Sequence, residues 1–172
     1  MSAITYAQTC TNDSYGSGFS AMGGKFADST YYGQTLNEVK VTIYATSETS
    51  ATFGILIHDL TAGTDTYFST TQTATLTSTP AEFTFTDSTG VTCPSNNYYI
   101  AVYYSGTASG FRTAYSACPP TATNVILVGK SISSGSWSEF TTEYPVMSCT
   151  WNSSTPTTSQ VFIPPPPAQV SL

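Results

Sequence analysis

Short segments in which apolar and polar residues alternate recur along this chain, and their period of two predicts β-strands. The clearest lies at residues 38–45, where Val39, Val41 and Ile43 face one way and the intervening residues face the other. Residues 98–104 are apolar or aromatic at nearly every position, so both faces of that strand are expected to be covered. The pattern therefore indicates sheets with at least one buried face.

Turn residues separate these segments at short intervals, and no segment shows helical periodicity with caps. A loop rich in glycine and serine is predicted at 12–24 and a turn at 87–90. Further strands are predicted at residues 25–26, 52–58, 67–76, 82–86, 125–128, 147–151 and 161–163. The predicted fold class is all-β, an antiparallel jelly-roll-like β-sandwich. Five side chains are expected in its core: Ile43, Ile55, Phe85, Ile100 and Val102.

The C-terminal residues differ in composition from the rest of the chain. Residues 1–152 are expected to form one sandwich domain, and 153–172 a tail rich in serine, threonine and proline. In the tail, Val161, Phe162 and Ile163 are predicted to pair with an exposed sheet edge of a neighbouring subunit. Pro164 and Pro165 cannot donate backbone hydrogen bonds, so they should end that pairing. The alternative is that this strand closes its own sandwich.

The charge content argues against two classes of partner. Only 8% of residues are charged and the net charge is -6. The four basic residues, Lys25, Lys40, Arg112 and Lys130, are scattered, whereas a phosphate-binding surface needs them clustered. No apolar run approaches the roughly 18 residues of a membrane span, and residues 1–10 lack the pattern of a signal peptide. We therefore expect no nucleic-acid binding and no membrane insertion.

The four cysteines are widely spaced, without the close pairs typical of zinc sites. An even number in a chain rich in serine and threonine favours two disulfides, and sequence alone permits three connectivities. We favour Cys93–Cys118 as a local link and Cys10–Cys149 as a link between the two ends. The alternative is four buried thiols.

Candidate catalytic residues are few. His58 is the only histidine, and no nucleophile motif accompanies it. The ten carboxylates are spread mostly over predicted turns, where they are expected to keep the chain soluble. Asp59 with Asp65, or Asp87 alone, offers oxygen ligands for Ca²⁺, but no calcium-loop pattern surrounds them. We therefore predict no enzymatic activity, no cofactor and no metal.

Aromatic residues are the more distinctive group. The chain has 12 tyrosines and two tryptophans, more than a core of this size requires. Three uses are possible: filling the core and its rim, anchoring a protein interface, or stacking on sugar rings. The candidate rings for these uses are Tyr31, Tyr32, Tyr44, Tyr99, Tyr103, Tyr104, Tyr115, Trp137 and Trp151. Asn12 and Asn152 also begin N-glycosylation acceptor patterns, a short motif that arises often by chance.

The succession of strands resembles the jelly-roll sandwich modules of secreted prokaryotic surface proteins and of phage and virus particle proteins. The residues that carry this resemblance lie within about 25–105: Leu36–Val41, Phe53–Leu60, Thr79–Phe85, Gly90–Val91 and Asn97–Val102. The resemblance implies successive antiparallel strands and brings no catalytic residue with it.

Together these features predict a non-enzymatic structural subunit of an extracellular assembly. A virion surface or capsid protein is the first expectation, and a cell-surface filament or layer subunit is the alternative. The partners would be copies of the chain or other particle or surface proteins. A carbohydrate-binding or adhesin module is the competing hypothesis.

Overall fold

The computed structural model describes residues 3–7, 13–16, 18–105, 111–116 and 125–152. In this part of the chain, a three-residue 3-10 turn, Ser29–Tyr31, is the only helical element. The strands are β1 (Ala3–Ala7), β2 (Asp13–Gly16), β3 (Phe19–Phe26), β4 (Thr35–Ala45), β5 (Thr49–Asp59), β6 (Thr64–Leu76), β7 (Ala81–Thr92), β8 (Tyr98–Ser105), β9 (Phe111–Ser116), β10 (Val125–Ser131), β11 (Trp137–Phe140), β12 (Tyr144–Pro145) and β13 (Met147–Asn152).

The strands form two antiparallel sheets that pack against each other, which confirms the predicted all-β sandwich. The seven-stranded sheet has the order β1-β13-β4-β9-β12, with β2 paired to β9 and β7 paired to β4. The six-stranded sheet has the order β11-β10-β3-β8-β5-β6. No helix in the described residues has the length and apolar character needed to cross a membrane.

The core lies between the sheets and follows the predicted alternation. All five expected core side chains are buried, none more than 1% exposed. At one end of the core, aromatic rings pack edge to face around Phe26: the Trp151 ring lies 5.3 Å away and the Tyr6 ring 5.4 Å away. The Tyr98 hydroxyl donates to the Tyr31 carbonyl at 3.0 Å, so this buried polar group is satisfied.

The prediction of an irregular loop at 12–24 was wrong, because β2 and β3 lie there. Gly23 explains why a glycine-rich segment becomes a central strand. A Cβ atom at Gly23 would lie 1.9 Å from the Ile100 carbonyl oxygen and 2.5 Å from the Ala101 Cα. Glycine is therefore required for β3 to approach β8 this closely.

The predicted turn at 87–90 was also wrong, because β7 continues through it as an irregular strand. The Asp87 carboxylate organises this region by accepting five hydrogen bonds, from the backbone N–H and hydroxyl of Ser69, the backbone N–H and hydroxyl of Thr89, and the Gly90 N–H. These hydrogen bonds lower the pKa of Asp87 well below its usual range, against the opposing effect of burial. Asp87 thereby joins β6 of one sheet to β7 of the other.

Candidate functional site

The outer face of the six-stranded sheet is strongly concave. The Trp137 ring on β11 lies 5.3 Å from the His58 ring on β5, although β10, β3 and β8 lie between these strands. In a flat sheet, positions four strands apart would be separated by about 19 Å. The close approach of β3 to β8 at Gly23 lets the sheet curl toward this face. Residues from both margins of the sheet therefore meet in what we call the outer cleft, formed by Lys25, His58, Asp65, Tyr67, Tyr99, Tyr103, Lys130, Trp137 and Glu139.

Asp65, at the β6 margin of the outer cleft, bonds to residues on both sides of the cleft. His58 and Asp65 face each other across the β5–β6 hairpin, and their Nδ1 and Oδ1 atoms are 2.7 Å apart. The other carboxylate oxygen accepts from Lys130 Nζ at 3.2 Å. Burial opposes the ionisation of Asp65, but the hydrogen bonds from His58 and Lys130 outweigh it and lower the pKa of Asp65. Asp65 is therefore ionised and oriented at neutral pH.

A second carboxylate is held in the same way. Glu139 on β11 accepts from Lys25 Nζ at 2.9 and 3.0 Å and from the Tyr99 hydroxyl at 2.7 Å. Burial opposes the ionisation of Glu139, and the hydrogen bonds from Lys25 and Tyr99 overcome it and lower its pKa. Burial and the Glu139 acceptor raise the pKa of Tyr99. The outer cleft thus contains two carboxylates, each paired with one lysine.

Trp137 covers the floor of the outer cleft. Its ring packs with small and aliphatic side chains from three strands, Ala21, Leu56 and Ala101. It also lies 4.9 Å from the Tyr99 ring, while Lys130 Nζ is 5.6 Å from its centroid, a cation–π arrangement. The Trp137 Nε1–H is buried and has no hydrogen-bond partner among the described residues. Such an orphaned donor is costly, so packing must hold the ring in place.

Two tyrosines form the accessible part of the outer cleft. Tyr103 on β8 lies over Gly54, whose missing side chain makes room for it, since a Cβ there would be 2.9 Å from the Tyr103 hydroxyl. The Tyr67 ring stands edge-on to Tyr103 at 5.2 Å and is 51% exposed. Its hydroxyl lies 3.5 Å from Asp65 Oδ2. An exposed ring face therefore adjoins an ionised carboxylate and an ammonium group.

This arrangement suits recognition of a ligand by stacking and hydrogen bonding. The His58–Asp65 pair matches the orienting half of a catalytic triad, but no nucleophilic side chain in the described residues hydrogen-bonds His58. No group of three or more metal-ligating residues converges anywhere in the described part of the chain. Two of the acids proposed as Ca²⁺ ligands lie on different elements. Asp59 accepts from the Thr61 and Ala62 amides in its own turn, whereas Asp87 is on β7.

The cysteine pairings remain predictions. Cys93 and Cys149 are buried in the core and are not bonded to each other, and their predicted partners Cys118 and Cys10 lie outside the described residues. The Trp151 Nε1–H points at Cys93 Sγ, 3.4 Å away. Burial raises the pKa of both described thiols, which makes them poor nucleophiles in this state.

Labelling unfolded, unreduced protein would count the free thiols, and the two-disulfide prediction requires none.

The predicted modification and interface residues are only partly described. Asn152 is exposed at the end of β13, and its backbone N–H donates to Asn37 Oδ1 at 3.3 Å. Asn12 lies outside the described residues, as do the five predicted interface positions, Val161, Phe162, Ile163, Pro164 and Pro165. These assignments stay predictions.

Sequence reasoning found some members of the outer cleft and missed others. It singled out Tyr99, Tyr103 and Trp137 as spare rings, and the structure brings them to one face, while Tyr31 and Trp151 are in the core. It missed the exposed Tyr67 and the pairing of His58 with Asp65. The turn at 60–63 was a usable signal for that pairing, because a hairpin there places residues 58 and 65 opposite each other.

The fold and the outer cleft define this chain as an antiparallel β-sandwich with an aromatic, charge-paired concave face. Neither family models nor characterised proteins nor solved structures match it.

Proposed function

We propose that this chain is a non-enzymatic structural subunit of an extracellular assembly, with a virion surface or capsid protein as the first candidate. A cell-surface filament or layer subunit is the alternative within the same class. Its partners would be further copies of the chain or other particle or surface proteins.

The observation that carries this proposal is an open sheet edge. β1 pairs with β13 on one side, and no strand in the described residues pairs with its other side. β13 ends at Asn152, directly opposite Ala3 of β1, so residue 152 lies one strand from that edge. A sheet edge with unpaired backbone groups is a template for strand addition. The tail of a neighbouring subunit could supply the strand.

The contacts of the described carboxylates support a structural role. Asp65 and Glu139 are paired with lysines, Asp28 and Asp59 accept from backbone amides in their own turns, and Asp87 joins the two sheets. These carboxylates stabilise the sandwich itself. At the opposite sandwich margin, Gln72 and Thr70 of β6 donate to β7 carbonyls at 2.6 and 2.9 Å, so side chains already occupy two of the acceptors there.

Deletion of residues 160–172 tests the proposal. The truncated protein should fold with near-native thermal stability but remain monomeric, as measured by mass photometry and electron microscopy of native material. Deletion of 168–172 alone is the matched control, because it keeps the apolar strand and the prolines and should still assemble. Intact oligomers without residues 160–172, unfolding of that variant, or a full-length protein that is always monomeric would each reject the proposal.

A further inference from the structure

The charges in the outer cleft cancel. Lys25 pairs with Glu139 and Lys130 pairs with Asp65, so two positive groups face two negative ones. A phosphate or sulfate group would need an excess of positive charge, and a cationic ligand an excess of negative charge. The balance of these four groups therefore favours a ligand without net charge.

The same groups keep hydrogen-bonding capacity for such a ligand. Lysine has three donors, and Lys130 uses one of them on Asp65; a carboxylate has about four lone-pair sites, and Asp65 accepts from His58, Lys130 and Tyr67. The Lys130 side chain is 29% exposed and that of Asp65 is 19% exposed, so neither is closed off. A donor and an acceptor 3.2 Å apart match two neighbouring hydroxyl groups of one ligand.

Tyr67 adds an apolar surface beside these groups. Its ring is one of the few large hydrophobic side chains in the described residues that are exposed, and it packs edge-on against Tyr103. A ring held in this way loses little entropy when a ligand stacks on it. Sugars have the complementary chemistry, an apolar C–H face surrounded by hydroxyl groups.

We propose that the outer cleft binds a neutral polysaccharide. One sugar ring stacks on Tyr67, and its hydroxyl groups hydrogen-bond Asp65 and Lys130. This binding activity goes beyond the assembly role and uses a different surface, because the outer cleft lies on the six-stranded sheet whereas the open edge at β1 belongs to the seven-stranded sheet.

Affinity electrophoresis in native gels tests this proposal, with the full-length protein run through a glucan, a mannan, a galactan and a xylan, all uncharged. At least one should retard the protein, and Tyr67→Ala should weaken that binding about tenfold or more, while Tyr67→Phe keeps the ring and most of the affinity. Ile132→Ala is the control, because Ile132 is 55% exposed in the β10–β11 turn and should not affect binding.

The remaining outcomes are decisive in the other direction. Two further gels contain the charged polymers polygalacturonate and dextran sulfate. No retardation in any of the four uncharged gels, retardation only by a charged polymer, or equal retardation of the Tyr67→Ala variant would overturn the proposal. Thermal unfolding of Tyr67→Ala checks that it is folded. The 160–172 deletion should bind like the full chain, so loss of assembly and loss of sugar binding are separable results.

Discussion

The two faces of the six-stranded sheet are made by the same strands but are held together differently. On β8, Tyr98, Ile100 and Val102 point into the core, while Tyr99 and Tyr103 point to the outer cleft. The inner face is close-packed against a second sheet. No second sheet among the described residues covers the outer face, which curls until its own margins meet. One face therefore depends on packing volume, and the other on backbone curvature and polar pairing.

Truncation on the inner face should have the largest effect on stability. Ile55→Ala or Ile43→Ala removes a completely buried side chain and should reduce the free energy of unfolding by about 2–5 kcal/mol in urea denaturation. Ile132→Ala, at an exposed position, should change it by less than about 0.5 kcal/mol. A loss below about 0.5 kcal/mol at both core positions would show that the inner face is assigned incorrectly.

The second-largest loss of stability should come from adding a methyl group at Gly23, where the outer face curls. Gly23→Ala places a Cβ against the β8 backbone, which cannot move without uncurling the sheet, so we expect a loss of about 3 kcal/mol. Gly54→Ala is the matched control, because its Cβ meets only the end of the Tyr103 side chain and should cost less than about 1 kcal/mol. Equal losses in thermal or urea unfolding would contradict the role given to Gly23.

Asp87 should show that a polar group can approach the importance of a core residue. Asp87→Ala leaves the Ser69, Thr89 and Gly90 amides without their acceptor, so the free energy of unfolding should fall by about 2 kcal/mol. Asp87→Asn keeps one acceptor oxygen and should lose less. If the free energy of unfolding of Asp87→Ala falls by less than about 0.5 kcal/mol, water replaces these hydrogen bonds.

The pH dependence of the same residue has a defined sign. The folded-state pKa of Asp87 is lowered, so its contribution is fully present above the unfolded value of about 3.9 and is lost as the pH falls below it. The free energy of unfolding of the wild type, measured by urea denaturation, should therefore fall between neutral pH and about pH 3. The fall should be smaller in Asp87→Asn. Parallel pH profiles for the two proteins would refute the assignment.

The ion pair across the outer cleft should have the smallest effect. A double-mutant cycle of Lys130→Met and Asp65→Asn should give a coupling energy of about 0.5 kcal/mol that decreases with added salt. The Lys40–Glu38 pair, 3.7 Å apart, is the control and should show weaker coupling. A coupling that is unaffected by salt would indicate a drier cleft than the side-chain exposures imply.

Sequence pattern predicted the inner face well and the outer face poorly. Alternation identified β4, β5 and β8, because each residue there faces either the core or the outside in strict turn. It predicted only the end of β3, at residues 25–26, because the glycines before it were taken as a loop signal although Gly23 serves a close strand contact. The contact between His58 and Trp137 depends on the curvature of a whole sheet, which no local pattern records.

The two tryptophans report on the two faces separately. Trp151 is completely buried in the core, whereas Trp137 lies on the short marginal strand β11, in contact with His58 and Tyr99. Indole emission depends on the polarity around the ring, so release of β11 changes the spectrum of Trp137 alone, and global unfolding changes both. Local opening requires less free energy than global unfolding. The wild-type chain therefore carries its own pair of fluorescent probes for the order in which its two faces come apart.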